Sequence, residues 1–329
     1  MHLMIARTIF LILCAAPALV LAQNASVAGP VAGYVFDPAG HSIRPMLGIP
    51  GAAYMGTAIA NDLDAAAIAP DGSSALVASR GRVYRVLSLN APIQDVRLPR
   101  HASLIPLANP VDGAITGADR MVWSADQAAI YSSVSGQAQI LSGMSKAPSA
   151  GAVLDLSGLP GAVTAIAVNA GDLLVGVAGA GVYRIPAGGS PQLIAPAQYP
   201  VGLRIAGGST GLFFADRDGG SVWQIADCAT GSTPMRFAGD LDTPVALHVS
   251  GSQLFVASAG GRTLIAYDLT THAATKSLDL AFTPASFDPM GSASLLLMAA
   301  SSGAGQPYYV LDTSQDPAVW FVPEKGVQQ

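Results

Sequence analysis

A block of four short apolar segments, set apart by Gly, Pro, Asn and Asp, returns down almost the whole chain and restricts its fold more than any single motif. From residue 65 the block reads AAAIAP, SALVAS, RVYRVLS and IQDVRLP. It returns as AVTAIAVNAGD, LLVGVAGA, GVYRIPA and PQLIAPA from residue 162, and as VGLRIAG, GLFFADRDGG, SVWQIAD and PMRFAG from residue 201. Two further copies follow, PVALHVSG, LFVASAGG, TLIAYDL and ATKSLDL from residue 244, then ASFDPMG, SLLLMAAS, PYYVLDT and AVWFVPE from residue 285. A looser copy, DRMVWSADQ, AAIYSSVSG, QAQILSG and AVLDLSG, starts at residue 119. With the third segments aligned on Tyr84, Tyr183, Trp223, Ile265 and Tyr309, the last three spacings are 40, 42 and 44 residues.

β-Branched and aromatic residues alternate over short runs, and Gly and Pro occupy 36 and 23 of 329 positions, so the segments read as strands and not helices. Four short strands repeating every 40 to 45 residues predict an all-β fold, a β-propeller of four-stranded antiparallel blades. The reason is burial. One such sheet cannot cover both of its apolar faces, whereas sheets packed face to face around an axis can, and closing the ring leaves only short edges exposed. Six units are complete. An N-terminal pair, GYVFDPAG (33–40) and SIRPMLGIP (42–50), resembles third and fourth strands and predicts a degenerate additional blade to which AAYMGTAIA adds. Seven blades are therefore expected; the alternative is six blades with 31–56 as an added hairpin.

The first 22 residues combine a short n-region holding His2 and Arg7 with an uncharged apolar run from Ile9 to Ala22, and small residues at Val20 and Ala22 suit cleavage before Gln23. The run is shorter than the ~20 apolar residues of a membrane span, so it reads as an export signal and not an anchor. Cys14 follows Leu13 where a lipidated cysteine would follow a small residue. The expected organisation is a signal peptide over 1–22, a flexible segment over 23–30, one propeller domain over 31–325 and a tail over 326–329, in a periplasmic or secreted monomer. Beyond the signal, 15 basic residues face 21 acidic ones, and the chain's only lysines are Lys146, Lys276 and Lys325. Nucleic acid, which calls for a clustered basic face, is not an expected partner. Cys228 is then the single thiol, so no disulfide can hold the domain and an apolar core must. The hydrophobic content of 51% and mean hydropathy of +0.44 fit such a core, because no apolar run after residue 22 goes uninterrupted by Asn, Asp, Gly or Pro.

The turn glycines, Asp71 and the third-strand aromatics resemble the NHL and YVTN classes of bacterial exported propellers over nearly all of the mature chain. The resemblance implies architecture. Such propellers include binding scaffolds, interaction modules and a minority of enzymes. WD40 units fit less well, since no Trp-Asp pair occurs and Gly40–His41 does not recur. Lactonase-like propellers, which resemble this shape, hold a divalent metal through a channel Glu with Asn and Asp, and propeller lyases use a His with a Glu. Here the sole Glu, Glu324, lies beyond the last strand, although Asp could substitute.

No P-loop, H-E-x-x-H or paired-Cys motif occurs. GGSTG around Ser209 matches G-x-S-x-G but joins two strands, where a nucleophile elbow needs a following helix. The histidines His41, His101, His248 and His272 are scattered singly; His248 could face the channel. Asp216 and Asp218 begin like a calcium loop with Asp227 at the twelfth position, but Gly220 and Ser221 occupy ligand and turn positions, and strand residues would carry Asp227 away. No catalytic residue, metal ligand or cofactor is therefore assigned. The second-to-third strand turns fall at one end of a propeller, and they carry Arg80, Arg82, Arg217 and Arg262. With His101 from the long loop 99–118, they could form a rim that grips an anionic group or a partner's carboxylates, partly neutralised by Asp216 and Asp218. The expected function is a scaffold binding a protein or glycan partner; the alternative is a metal-dependent hydrolase or lyase working from the central channel.

Overall fold

The computed structural model describes residues 30–89, 107, 110–206, 211–291, 294–300 and 307–324. They form seven antiparallel sheets, with no helix among the described residues. Blade 1 holds β1 (Val31–Asp37), β2 (Ser42–Leu47) and β3 (Tyr54–Met55), and blade 2 holds β4 (Ala65–Ile68), β5 (Ser74–Ser79) and β6 (Arg82–Leu87). Blade 3 runs β7 (Arg120–Ser124), β8 (Gln127–Ser132), β9 (Gln137–Ser142) and β10 (Ser149–Asp155). Blade 4 runs β11 (Val163–Asn169), β12 (Asp172–Val177), β13 (Gly181–Ile185) and β14 (Gln192–Pro196). Blade 5 comprises β15 (Pro200–Ile205), β16 (Leu212–Asp216), β17 (Ser221–Ile225) and β18 (Met235–Ala238). Blade 6 comprises β19 (Pro244–Ser250), β20 (Gln253–Ser258), β21 (Thr263–Asp268) and β22 (Ala274–Asp279). Blade 7 comprises β23 (Pro284–Pro289), β24 (Leu295–Ala300), β25 (Tyr308–Asp312) and β26 (Ala318–Val322).

Each blade is a meander from an inner to an outer strand, and the inner strands pack in turn, β4 on β7, β7 on β11, and so on to β23, with β1 against β4. Burial follows this radial order. Second strands such as β5 (SALVAS) and β16 (LFFAD) are buried at every position because blades cover both of their faces, whereas the outer β22 (ATKSLD) is mostly exposed. That is why the second segments read as continuous apolar runs. In β5 and β16 the last residue is polar and holds the incoming chain: Ser79 Oγ donates to the Asp62 carbonyl at 2.6 Å, and the Asp216 carboxylate accepts the Gln198 and Tyr199 N–H groups. These three bonds pin the segments that enter the inner strands of blades 2 and 5.

Seven apolar clusters lie one between each pair of neighbouring blades, so the ring closes as a seven-bladed propeller. The closing cluster joins Val35, Met46 and Met55 of blade 1 to Leu297, Val310 and Val322 of blade 7, with Met290 just after β23. Tyr34 N–H also donates to the Met290 carbonyl at 2.8 Å. β1 can come this close because residue 33 is glycine: a Cβ there would stand 2.5 Å from the Met290 oxygen. Arg44 spans the same seam, donating to the Gly56 and Glu324 carbonyls, with Asp37 at 3.7 Å and Glu324 at 3.9 Å.

Blade 1 corrects one expectation. Residues 31–47 supply the first and second strands of a blade, not the third and fourth, and the segment around Tyr54 supplies the third. In blade 2 the Val111 N–H donates to the Val83 carbonyl and Pro110 bridges Tyr84. The fourth segment read at IQDVRLP lies outside the described residues.

Candidate functional site

The inner strands enclose a cavity of about 480 Å³, within the roughly 300 to 1,000 Å³ of small-ligand sites. Most of its lining comes from the later halves of these strands, including Phe36, Ile68, Trp123, Val168, Arg204, His248 and Asp288, and blade 7 adds Leu297, Met298 and Tyr308 from its next two strands. It therefore lies toward the end of the ring where first strands turn into second strands.

Strand register shows how the polar wall is built. Ala67, Val122, Ala167, Arg204, His248 and Asp288 pair with Leu76, Ala129, Leu174, Phe213, Phe255 and Leu297, which occupy the same position in six successive second strands. These six residues thus stand at one level of the channel. Blades 2 to 4 place small or branched apolar groups there, and blades 5 to 7 place a guanidinium, an imidazole and a carboxyl.

Arg204 reaches past blade 6, donating from Nη2 to the Phe287 carbonyl at 2.9 Å and from Nη1 to the Leu203 carbonyl at 3.0 Å. Asp288 Oδ2 accepts from Ser286 Oγ at 2.8 Å. Burial lowers the Arg204 pKa, and it raises that of Asp288 above the usual carboxylate value, with the Ser286 hydrogen bond and the Arg204 charge pulling the latter back. Asp288 keeps surface open to the channel although protein surrounds it, so channel water moderates that rise. No ion pair within 4 Å joins Arg204 to Asp288. His248 lies over Phe255, their ring centres 6.5 Å apart. Among the described residues no group of three His, Cys, Asp or Glu stands close enough to hold a metal ion.

The arginine turns lie at the opposite end, because every blade runs through the same meander. Arg80 and Gly81 form a two-residue hairpin with positive φ at both positions, a type I′ turn, and Arg262 also has a positive φ, of 48°. Arg80 is 84% exposed and 3.6 Å from Asp62. Arg217 donates from Nε to Asp218 at 2.7 Å and lies 3.5 Å over the Tyr199 ring. Arg82 and Arg262 are exposed, and neither has a carboxylate within 4 Å among the described residues. Asp216 does not neutralise this rim; it is 6% exposed and turned inward to hold Gln198 and Tyr199, and among the described residues the carboxylates beside the rim arginines are Asp62 and Asp218. The same inward turn removes Asp216 from any calcium loop.

Cys228 packs between blades 4 and 5, where burial pushes its thiol up to about 11. His101 and the GGSTG segment around Ser209 lie outside the described residues, apart from Gly211. Sequence reasoning missed Arg204 and Asp288 and left His248 undecided. A signal existed: VGLR, VALH and ASFD carry the three residues at one phase of successive first strands.

The chain matches no protein-family model and no curated protein. Solved structures share its fold. It resembles a functionally unknown protein from Desulfotomaculum acetoxidans DSM 771 at 13% identity and a TM-score of 0.58, covering 89% of this chain and 99% of that one. A chain of a mitotic checkpoint complex is similar at 13% identity and a TM-score of 0.53, covering 79% and 78%. Hsv2p of Kluyveromyces lactis is similar at 11% identity and a TM-score of 0.51, covering 78% and 76%.

Proposed function

We propose that this chain is an exported, non-enzymatic propeller that binds a protein or glycan partner through the end of the ring carrying Arg80, Arg82, Arg217 and Arg262. The observation that carries this reading is the pair Arg82 and Arg262, exposed guanidinium groups at the same end of the ring, one opening β6 and one in the blade 6 turn, with no carboxylate within 4 Å among the described residues. Stacking on Tyr199 and the bond to Asp218 hold Arg217 in place between them in chain order. Such a rim suits acidic groups, because guanidinium grips carboxylates through paired hydrogen bonds. Export is part of the proposal and is supported by the charged n-region and apolar run of residues 1–22. The alternative is a divalent-metal hydrolase or lyase in the channel; among the described residues no group of three His, Cys, Asp or Glu gathers to hold its ion.

The test is capture of extracytoplasmic proteins and acidic glycans by the parent and by a variant with all four arginines replaced by Ser. Melting should change little: exposed charges contribute under about 1 kcal/mol each, and loss of the Arg217 stacking on Tyr199 adds roughly 0.5 to 1 kcal/mol. Capture by the parent should weaken with salt, and the variant should lose about 1.5 to 3 kcal/mol for each charge-assisted bond removed. Equal capture by both proteins contradicts the rim. Stoichiometric divalent metal in protein purified without chelator would favour the hydrolase or lyase instead.

A further inference from the structure

The channel holds two opposite charges that do not meet. Arg204 and Asp288 stand at one level, on blades 5 and 7, with His248 of blade 6 between them. Each acts electrostatically on the other, yet no ion pair within 4 Å joins them. Arg204 is half-buried and Asp288 keeps an open face, so each has lost part of its water to the channel wall, a loss that pairing and hydrogen bonds offset. Arg204 spends two of its five N–H groups on the Leu203 and Phe287 carbonyls, and Asp288 accepts one bond from Ser286. The remaining donors and acceptors border a cavity whose opposite wall, at the same level, is Ala67, Val122 and Ala167, flanked by Trp123.

A simple anion on Arg204 would sit beside an unpaired carboxylate, and a simple cation on Asp288 beside an unpaired guanidinium. A ligand carrying both charges satisfies both groups, and the apolar wall calls for an apolar body. We infer that the channel binds a free α-amino acid with an apolar or aromatic side chain, its carboxylate on Arg204, its ammonium on Asp288 and its side chain against Val122 and Trp123. The site is separate from the arginine rim, which lies at the other end of the ring.

Calorimetric titration of the intact protein with L-phenylalanine, 3-phenylpropanoate and phenethylamine tests this directly, since the two analogues lack the ammonium and the carboxylate. The expected result is saturable binding of L-phenylalanine with each analogue at least tenfold weaker, the loss expected for one charge-assisted bond. Arg204→Gln should weaken L-phenylalanine at least tenfold and leave phenethylamine unchanged; Asp288→Asn should weaken L-phenylalanine and leave 3-phenylpropanoate no weaker. If either variant fails to fold, the three ligands on the parent still decide. Equal binding of all three, or no saturable binding of L-phenylalanine or L-leucine at millimolar concentration, overturns the inference and leaves the rim reading intact, because the four-arginine variant tests that reading separately.

Discussion

Asp288 is the channel carboxyl whose ionisation the fold opposes. Burial is the largest cause of its raised pKa, so the native state holds this proton above the ordinary carboxylate value of 3.8 while the unfolded chain has released it. Folding stability from this group is therefore present at low pH and is lost as pH rises through the window between the ordinary value and the raised one. The turn aspartates Asp71, Asp126, Asp155 and Asp268 act with the opposite sign. Hydrogen bonds from Ser73, Ser145, Ser157 and Thr271 lower their pKa values, so their contribution disappears as pH falls. These terms are common to the parent and an Asp288→Asn variant, and they cancel in the difference. The melting temperature of the variant, relative to that of the parent, should climb as pH is raised from about 4 toward neutral; a constant difference across that range would show that the enclosure does not oppose the charge.

Between blades 7 and 1 the contact depends on the absence of a side chain at Gly33. An added methyl group would meet the Met290 oxygen at 2.5 Å and its Cβ at 2.8 Å, both part of a packed seam. Gly33→Ala should cost about 1 to 3 kcal/mol as overpacking, lowering the melting temperature by roughly 2 to 4 °C for each kcal/mol. An unchanged melting temperature would mean that β1 can move outward freely. The strands themselves were largely legible, because most second segments are continuous apolar runs and the third strands of blades 2, 4, 5 and 7 carry Tyr84, Tyr183, Trp223 and Tyr309 at one phase. Blade 1 was misphased for a physical reason: Tyr34 and Phe36 give β1 the aromatic pattern of a third strand, and the three-stranded sheet lacks the outer segment that sets the phase elsewhere. The arginine turns were likewise readable from loop position, while the inward turn of Asp216 was not, since its partners Gln198 and Tyr199 belong to the preceding inter-blade loop. Arg204, His248 and Asp288 lie 44 and 40 residues apart, inside strands that otherwise read as core. Only the strand register brings them to one level.

Both ends of the molecule depend on a closed ring. The rim needs turns of blades 2, 5 and 6 on one end, and the channel wall needs blades 2 to 7 at fixed positions around the axis. The link that makes this one object is the cluster joining the N-terminal sheet to the last blade. Tyr308, Val310 and Val322 come from β25 and β26, and all three pack at that seam. Truncation of large buried side chains costs about 2 to 5 kcal/mol each, against a total stability of roughly 5 to 15 kcal/mol. Deleting both strands should therefore abolish the whole ring and not only its last blade. The most direct measurement is the thermal unfolding of a chain ended after Gln306 beside the intact protein. A closed seven-bladed ring predicts that the shortened chain loses the parent's cooperative transition; a single cooperative melt at the parent temperature would contradict closure through blades 7 and 1.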